Sequence, residues 1–129
     1  MSKAPLISIV EDDELFRESM RRLLRSLGYT VEAFPSAASF LASCSLDETA
    51  CLITDKNMPA MTGYELYARL IKLGHRIPTI LVTAHSNEAE RSKAVNDGIV
   101  CYLHKPFDDN DLADSVQKAI EGDRLPGGS

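Results

Sequence analysis

No apolar run in this chain approaches the roughly 20 residues that a membrane-crossing helix needs. The opening stretch MSKAPLISIV lacks the apolar core and small-residue cleavage site of a secretory leader, and it runs straight into an acidic cluster. A cytoplasmic location with no membrane partner is expected. Cysteine is scarce: Cys44, Cys51 and Cys101 are scattered, odd in number and form no CxxC pair. They read as reduced thiols in or near the core, not as a disulfide framework. The three histidines, His75, His85 and His104, have no zinc-ligand spacing. Basic charge is also short, with 14 Lys and Arg against 19 Asp and Glu, a formal net charge of −5. That balance argues against direct nucleic-acid binding, which usually needs a basic patch. No internal repeat is present.

What is there suits one folded domain. A length of 129 residues leaves no room for a second domain, and 44% hydrophobic content is enough for one sizeable core. Disorder would need fewer apolar residues and a larger charge imbalance.

Short β-rich runs alternate with helical patterns five times. Leu6–Val10, Tyr29–Phe34, Cys51–Thr54, Thr79–Thr83 and Val100–Leu103 are the strand candidates. Four are compact apolar runs of the kind buried on both faces of a parallel sheet, while Tyr29–Phe34 alternates better and suits an edge. Phe16, Met20, Leu23, Leu24 and Leu27 form a first helical stripe closed by Gly28. Pro35 and Ser36 open a short second helix with Phe40 and Leu41. Leu66, Leu70 and Leu73 mark a third, ended by Gly74. The fourth, about Asn87–Asn96, offers only Ala89, Ala94 and Val95; the fifth carries Leu112, Val116, Ala119 and Ile120. Residues 1–121 read as the domain, and 122–129, with Gly, Pro and charge but no period, as a linker or frayed tail. Strict alternation implies an α/β fold, a doubly wound five-stranded parallel sheet of order 2-1-3-4-5 and flavodoxin-like type. Its functional crevice lies beyond the carboxyl ends of the strands.

Those ends carry chemistry. The first strand ends in Glu11, Asp12 and Asp13, the third in Asp55 within TDKNMP, the fourth in Thr83 and Ala84, the fifth in Lys105 and Pro106. Each alone has an ordinary reading: an acidic helix cap, an Asx turn, a β-former, a solvated lysine. Strands 1, 3, 4 and 5 are neighbours in the expected order, so the four ends converge, and a metal–phosphate site accounts for the set. Mg²⁺ takes hard oxygen ligands and keeps several waters. Asp12 and Asp55 can bind it directly, Glu11 through a water, with a backbone carbonyl near Asn57. Asp55 is also a competent nucleophile for an acyl phosphate. Lys105, the Thr83 hydroxyl and the Ala84 N–H, with Asn57 alongside, would face the incoming phosphoryl oxygens.

The stretches VEDDELFR, LITDKNMPAMTGYEL, PTILVTA and CYLHKPF resemble, in order and spacing, the response-regulator receiver family of two-component signalling, over essentially residues 5–121. The resemblance implies Asp55 as phosphoacceptor, Glu11 and Asp12 as the acidic pair, Thr83 as switch hydroxyl, Tyr102 as the rotating aromatic and Lys105 as the conserved-type lysine. Counting back from Arg17 leaves Asp13 as a helix cap. It further implies a cis Lys105–Pro106 bond, Mg²⁺ as cofactor, and a sensor histidine kinase as donor, for which small acyl phosphates can substitute. The output face would be the fourth helix, fifth strand and fifth helix, with Tyr102 passing from an exposed to a buried position. The wording is most similar to receivers that precede a LuxR-type DNA-binding domain, which implies control of transcription. Two architectures stay open, a stand-alone regulator and a receiver with a C-terminal DNA-binding output domain outside this chain, and a phosphorylation-dependent homodimer is allowed. Such a module is no turnover enzyme, catalysing only its own phosphorylation and slow dephosphorylation. A phosphatase of the haloacid-dehalogenase type shares a strand-end Asp, Mg²⁺, Thr and Lys, but needs a second Asp two residues on. That position is Asn57, which cannot shuttle a proton. A flavin-binding alternative would place a phosphate loop where Glu11, Asp12 and Asp13 repel phosphate.

Overall fold

The computed structural model describes residues 4–85 and 87–124. Five strands, β1 (Leu6–Val10), β2 (Thr30–Phe34), β3 (Thr49–Asp55), β4 (Thr79–Thr83) and β5 (Cys101–His104), alternate with five helices. These are α1 (Glu14–Ser26), α2 (Ala37–Leu41), α3 (Gly63–Lys72), α4 (Glu88–Asn96) and α5 (Asp109–Arg124). All strand pairs are parallel and the order is β2-β1-β3-β4-β5, as the alternation implies.

The period-2 pattern of the central strands divides the core between the two faces of the sheet. Ile7, Ile9, Cys51, Ile53, Ile80 and Val82 face α1 and α5, meeting Met20, Leu24, Leu112, Val116, Ala119 and Ile120. On the opposite face Val10 and Leu52 pack with Phe40 of α2 and with Leu66 and Leu70 of α3. Leu81, Ala94, Ile99 and Tyr102 form a smaller cluster under α4. All five helices follow a residue whose side chain accepts a backbone N–H: Asp13, Ser36, Thr62, Asn87 and Asp108. Each such cap is worth about 1 kcal/mol. Thr62 and Glu65 complete a reciprocal capping box. Gly28 and Gly74, at φ 99° and 89°, end α1 and α3 in a conformation that side chains with a Cβ disfavour.

Several expectations change at this level. Leu27 and Leu73, read as stripe residues, are the C-caps of α1 and α3 and stand about half exposed, as does Val95 of α4. β5 is an edge strand with only Tyr102 buried, not a run buried on both faces. β3 is longer than Cys51–Thr54, since it begins at Thr49 and includes Asp55. A single 3-10 turn at Leu46–Glu48 precedes it. Cys44 is exposed rather than near the core, whereas Cys51 is buried, which pushes its thiol up to about 12 and keeps it neutral. Helix α5 runs to Arg124. Residues 125–129 of the expected tail lie outside the described residues.

Candidate functional site: an acidic crevice at the carboxyl ends of the strands

Sheet register carries the site residues to one edge. The ladder continues one residue past the strand ends: Glu11 N–H donates to the Phe34 carbonyl at 3.0 Å and Lys56 N–H to Val82 at 2.8 Å. Lys105 N–H likewise donates to Thr83 at 2.7 Å. Val10 pairs with Thr54, Asp55 with Val82, and Thr83 with His104. Glu11, Asp55, Thr83 and Lys105 are thereby fixed by backbone hydrogen bonds, not by loop conformation.

Carboxylate oxygens of Glu11, Asp12 and Asp55 lie within 4.8 Å of one another. The Asp13 N–H donates to Glu11 Oε2 at 3.1 Å, while its own carboxylate caps α1, Oδ1 accepting from Leu15 N–H at 3.1 Å and Phe16 N–H at 3.3 Å. Arg17 Nη1 donates to the Glu11 carbonyl at 2.8 Å, so the residue used to count back does hold the acidic turn in place. Lys105 Nζ donates to Asp55 Oδ2 at 3.0 Å and to Glu11 Oε1 at 3.2 Å. The same ammonium sits 4.3 Å from the Phe16 ring centroid. Lys105–Pro106 is cis.

The electrostatics follow from crowding. Burial, then the neighbouring Asp55 carboxyl, raise Glu11 from 4.5 to about 7, against the lowering pull of the Asp13 N–H and of Lys105. Burial alone would lower Lys105, but its bond to Asp55 and the charges of Glu11 and Asp55 outweigh that and raise it. One ammonium thus serves carboxylates that would otherwise repel one another. The donor set fits a hard divalent cation: three carboxylates of which one is exposed, all oxygen, no sulfur or imidazole.

The remaining expected residues are placed as follows. Asn57 N–H donates to Asp55 Oδ1 at 2.9 Å, and its Nδ2 reaches Thr83 Oγ1 at 3.3 Å. Thr83 is buried, its hydroxyl donating to the His85 carbonyl at 2.9 Å and accepting from His85 N–H at 3.0 Å. Ala84 is exposed at the start of the same loop. Tyr102 is only 6% exposed, so its ring already sits inward, in contrast to the exposed starting position expected for it. The ring packs on Leu81, Ala94 and Ile99, while at the rim its hydroxyl donates to Glu90 Oε1 at 3.3 Å, and Glu90 is ion-paired with Lys56. This Lys56–Glu90–Tyr102 network has no counterpart in the sequence reading. Lys56 and Glu90 are 34 residues apart, and nothing in either local pattern links them. Gly63 was also missed. A Cβ there would lie 2.5 Å from the Asp55 carbonyl oxygen, so only glycine lets α3 start this close to β3. Its signal was a glycine at a helix start, eight residues after Asp55 in MPAMTGYEL.

Fold and strand-end cluster together define a class, a doubly wound α/β domain with an acidic, cation-competent crevice facing a lysine. Comparison with known proteins narrows it. A family model described as response regulator receiver domain matches residues 7–117. Nodulation protein W of Bradyrhizobium diazoefficiens is 38% identical over 123 residues, which are 95% of this chain and 54% of that protein. The C4-dicarboxylate transport transcriptional regulatory protein DctD of Rhizobium meliloti is 36% identical over 97% of this chain and 27% of its own length. Among solved structures, FixJ-N superposes with a TM-score of 0.81 at 32% identity, covering 93% of this chain and 96% of that one. The chain belongs to the response-regulator receiver family of two-component signalling. It spans about half the length of Nodulation protein W and about a quarter of DctD.

Proposed function

We propose that the domain accepts a phosphoryl group on Asp55 from a sensor histidine kinase, in a Mg²⁺-dependent reaction, and alters its α4–β5–α5 surface in response. The observation that carries this reading is the Lys105 ammonium, bonded at 3.0 Å to a strand-end aspartate that shares its crevice with two further carboxylates. Glu11, Asp12 and Asp55, with the backbone at Asn57, would hold Mg²⁺, which when bound supplies charge neutralisation at the phosphoryl oxygens.

The chain's own residues do the rest. An Asp55 carboxylate oxygen attacks phosphorus, a P–O bond forms, and the bond from phosphorus to the donor breaks, with the electron pair leaving on the donor. Lys105 stays beside the new acyl phosphate and balances its charge; the Ala84 N–H and Thr83 hydroxyl take other phosphoryl oxygens. Asn57, unlike a carboxylic acid, has no proton to shuttle, so hydrolysis is slow and the modified state persists as a signal.

To reach the phosphoryl group the Thr83 hydroxyl must give up the His85 carbonyl, which loosens the loop leading into α4. Helix α4 buries only Ala94, so a small free-energy change can move it. Tyr102, held by Glu90 of that helix, reports the shift to β5 and α5. A LuxR-type DNA-binding domain on the same polypeptide is the proposed recipient, and pairing of two receivers through this face is an alternative output.

Asp55→Asn is the test, since it removes the nucleophile at nearly constant shape. Wild type incubated with acetyl phosphate and Mg²⁺ should gain the mass of one phosphoryl group, and the variant none. A full adduct on the variant would place the acceptor elsewhere.

A further inference from the structure

Lys105 is held by two kinds of partner, and they respond differently to the proposed reaction. Its carboxylate partners, Asp55 and Glu11, are also candidate cation ligands. A dication bound there draws on the same oxygens and repels the ammonium. Phe16 is the other partner, its ring centroid 4.3 Å from Nζ, and a neutral ring is not a ligand that the cation competes for. Lysine carries its charge on a flexible four-carbon stem, so without a lateral contact the ammonium would swing toward solvent.

The ring itself is fixed. Phe107 stands edge-on to it, with centroids 5.6 Å apart at 72°. The Phe16 backbone N–H is tied to the Asp13 cap in the first turn of α1. Any apolar residue would serve the α1 stripe at this position, but only an aromatic one presents a negative face to a cation.

We infer that Phe16 is a positioning residue whose ring face holds the Lys105 ammonium over the crevice while its carboxylates are engaged by a cation and a phosphoryl group. This role rests on the phosphoacceptor reading of Asp55. It makes the rate of phosphorylation depend on the electron density of a ring that touches neither the donor nor Asp55.

The test separates ring electrostatics from ring shape. Full-length chains carrying mono-, di- and trifluorinated phenylalanine at position 16 keep the packing while weakening the negative face. Phe16→Tyr and Phe16→Leu bracket the series. Phosphorylation by acetyl phosphate and Mg²⁺ is followed by intact mass, and thermal midpoints are recorded alongside. The rate should fall stepwise with fluorination, by roughly two- to ten-fold across the series. Tyr should retain the wild-type rate, Leu should lose it, and the fluorinated chains should keep their midpoints. In a Lys105→Met background the fluorinated series should be flat. In the metal-free protein the Lys105 ε-methylene protons should be shifted upfield by the ring current, and Phe16→Leu should abolish that shift. A phosphorylated chain with a flat series, or an equal decline in the Lys105→Met background, overturns the positioning role alone. A wild-type chain that takes no phosphoryl group overturns the phosphoacceptor reading and this role with it, while the ring-current shift still reports the contact.

Discussion

Single residues set the charge balance of the crevice, and Glu11 dominates it. Its carboxyl titrates near 7 in the folded chain against an ordinary 4.5, so the folded state binds the proton more tightly than the unfolded one. The resulting stability is fully present below pH 4.5 and is lost as pH rises through about 7. Metal-free protein should therefore be less stable at pH 8 than at pH 5.5, by about 2 kcal/mol at most. Urea unfolding in EDTA at the two values measures this, and Glu11→Gln should flatten the difference. An unchanged slope in that variant would assign it to other groups. Asp12→Ala acts in the opposite sense, since it removes an exposed carboxylate from a crowded cluster. Apparent Mg²⁺ affinity should drop at least ten-fold by calorimetry while metal-free stability holds or rises. Equal affinity would mean that Asp12 is not a ligand.

Among the elements, α4 is the least anchored. Ala94 is its one buried residue, and its other ties are polar: Lys56 to Glu90, Tyr102 to Glu90, and Tyr67 to the Asp97 carbonyl at 3.1 Å. A partly exposed ion pair contributes little to global stability, but it counts against the opening of one short helix. Lys56→Met should accelerate amide exchange across residues 88–96 several-fold and leave the thermal midpoint within about 2 °C. It should also free Tyr102 to sample outward positions, visible in its ring resonances. Exchange in α4 equal to wild type would show that the apolar contact at Ala94 suffices. The period of the fourth helical segment had already marked it as weak. What anchors it instead involves β3 and β5, and pairings of that kind leave no trace in a local pattern.

The whole molecule is a two-faced sheet with its chemistry at one edge and a formal net charge of −5. Association with a DNA phosphate backbone needs clustered cations that release counterions. The isolated chain should show no saturable binding to promoter fragments at physiological salt in an anisotropy titration. Sub-micromolar, sequence-dependent binding would overturn that. Any transcriptional output then requires further sequence, in keeping with relatives about twice this length and more.

The alternation of apolar runs with amphipathic stretches determined the layer architecture by itself, because a parallel strand order with right-handed crossovers leaves few alternatives. It also delivered Glu11, Asp12, Asp55, Thr83 and Lys105 to one place, since residues at strand ends inherit their neighbours from sheet register. Side-chain direction was a different matter. Whether Tyr102 lies inward, whether Leu27 and Leu73 face the core, and which ring touches Lys105 depend on cap geometry and on partners from other elements. Tertiary structure decided those points: Tyr102 packed on Leu81, Ala94 and Ile99, the C-cap turns carried the two leucines outward, and α1 laid Phe16 across the lysine. Periodicity is local and survives in the sequence, whereas a contact between distant residues exists only once the chain has closed around it.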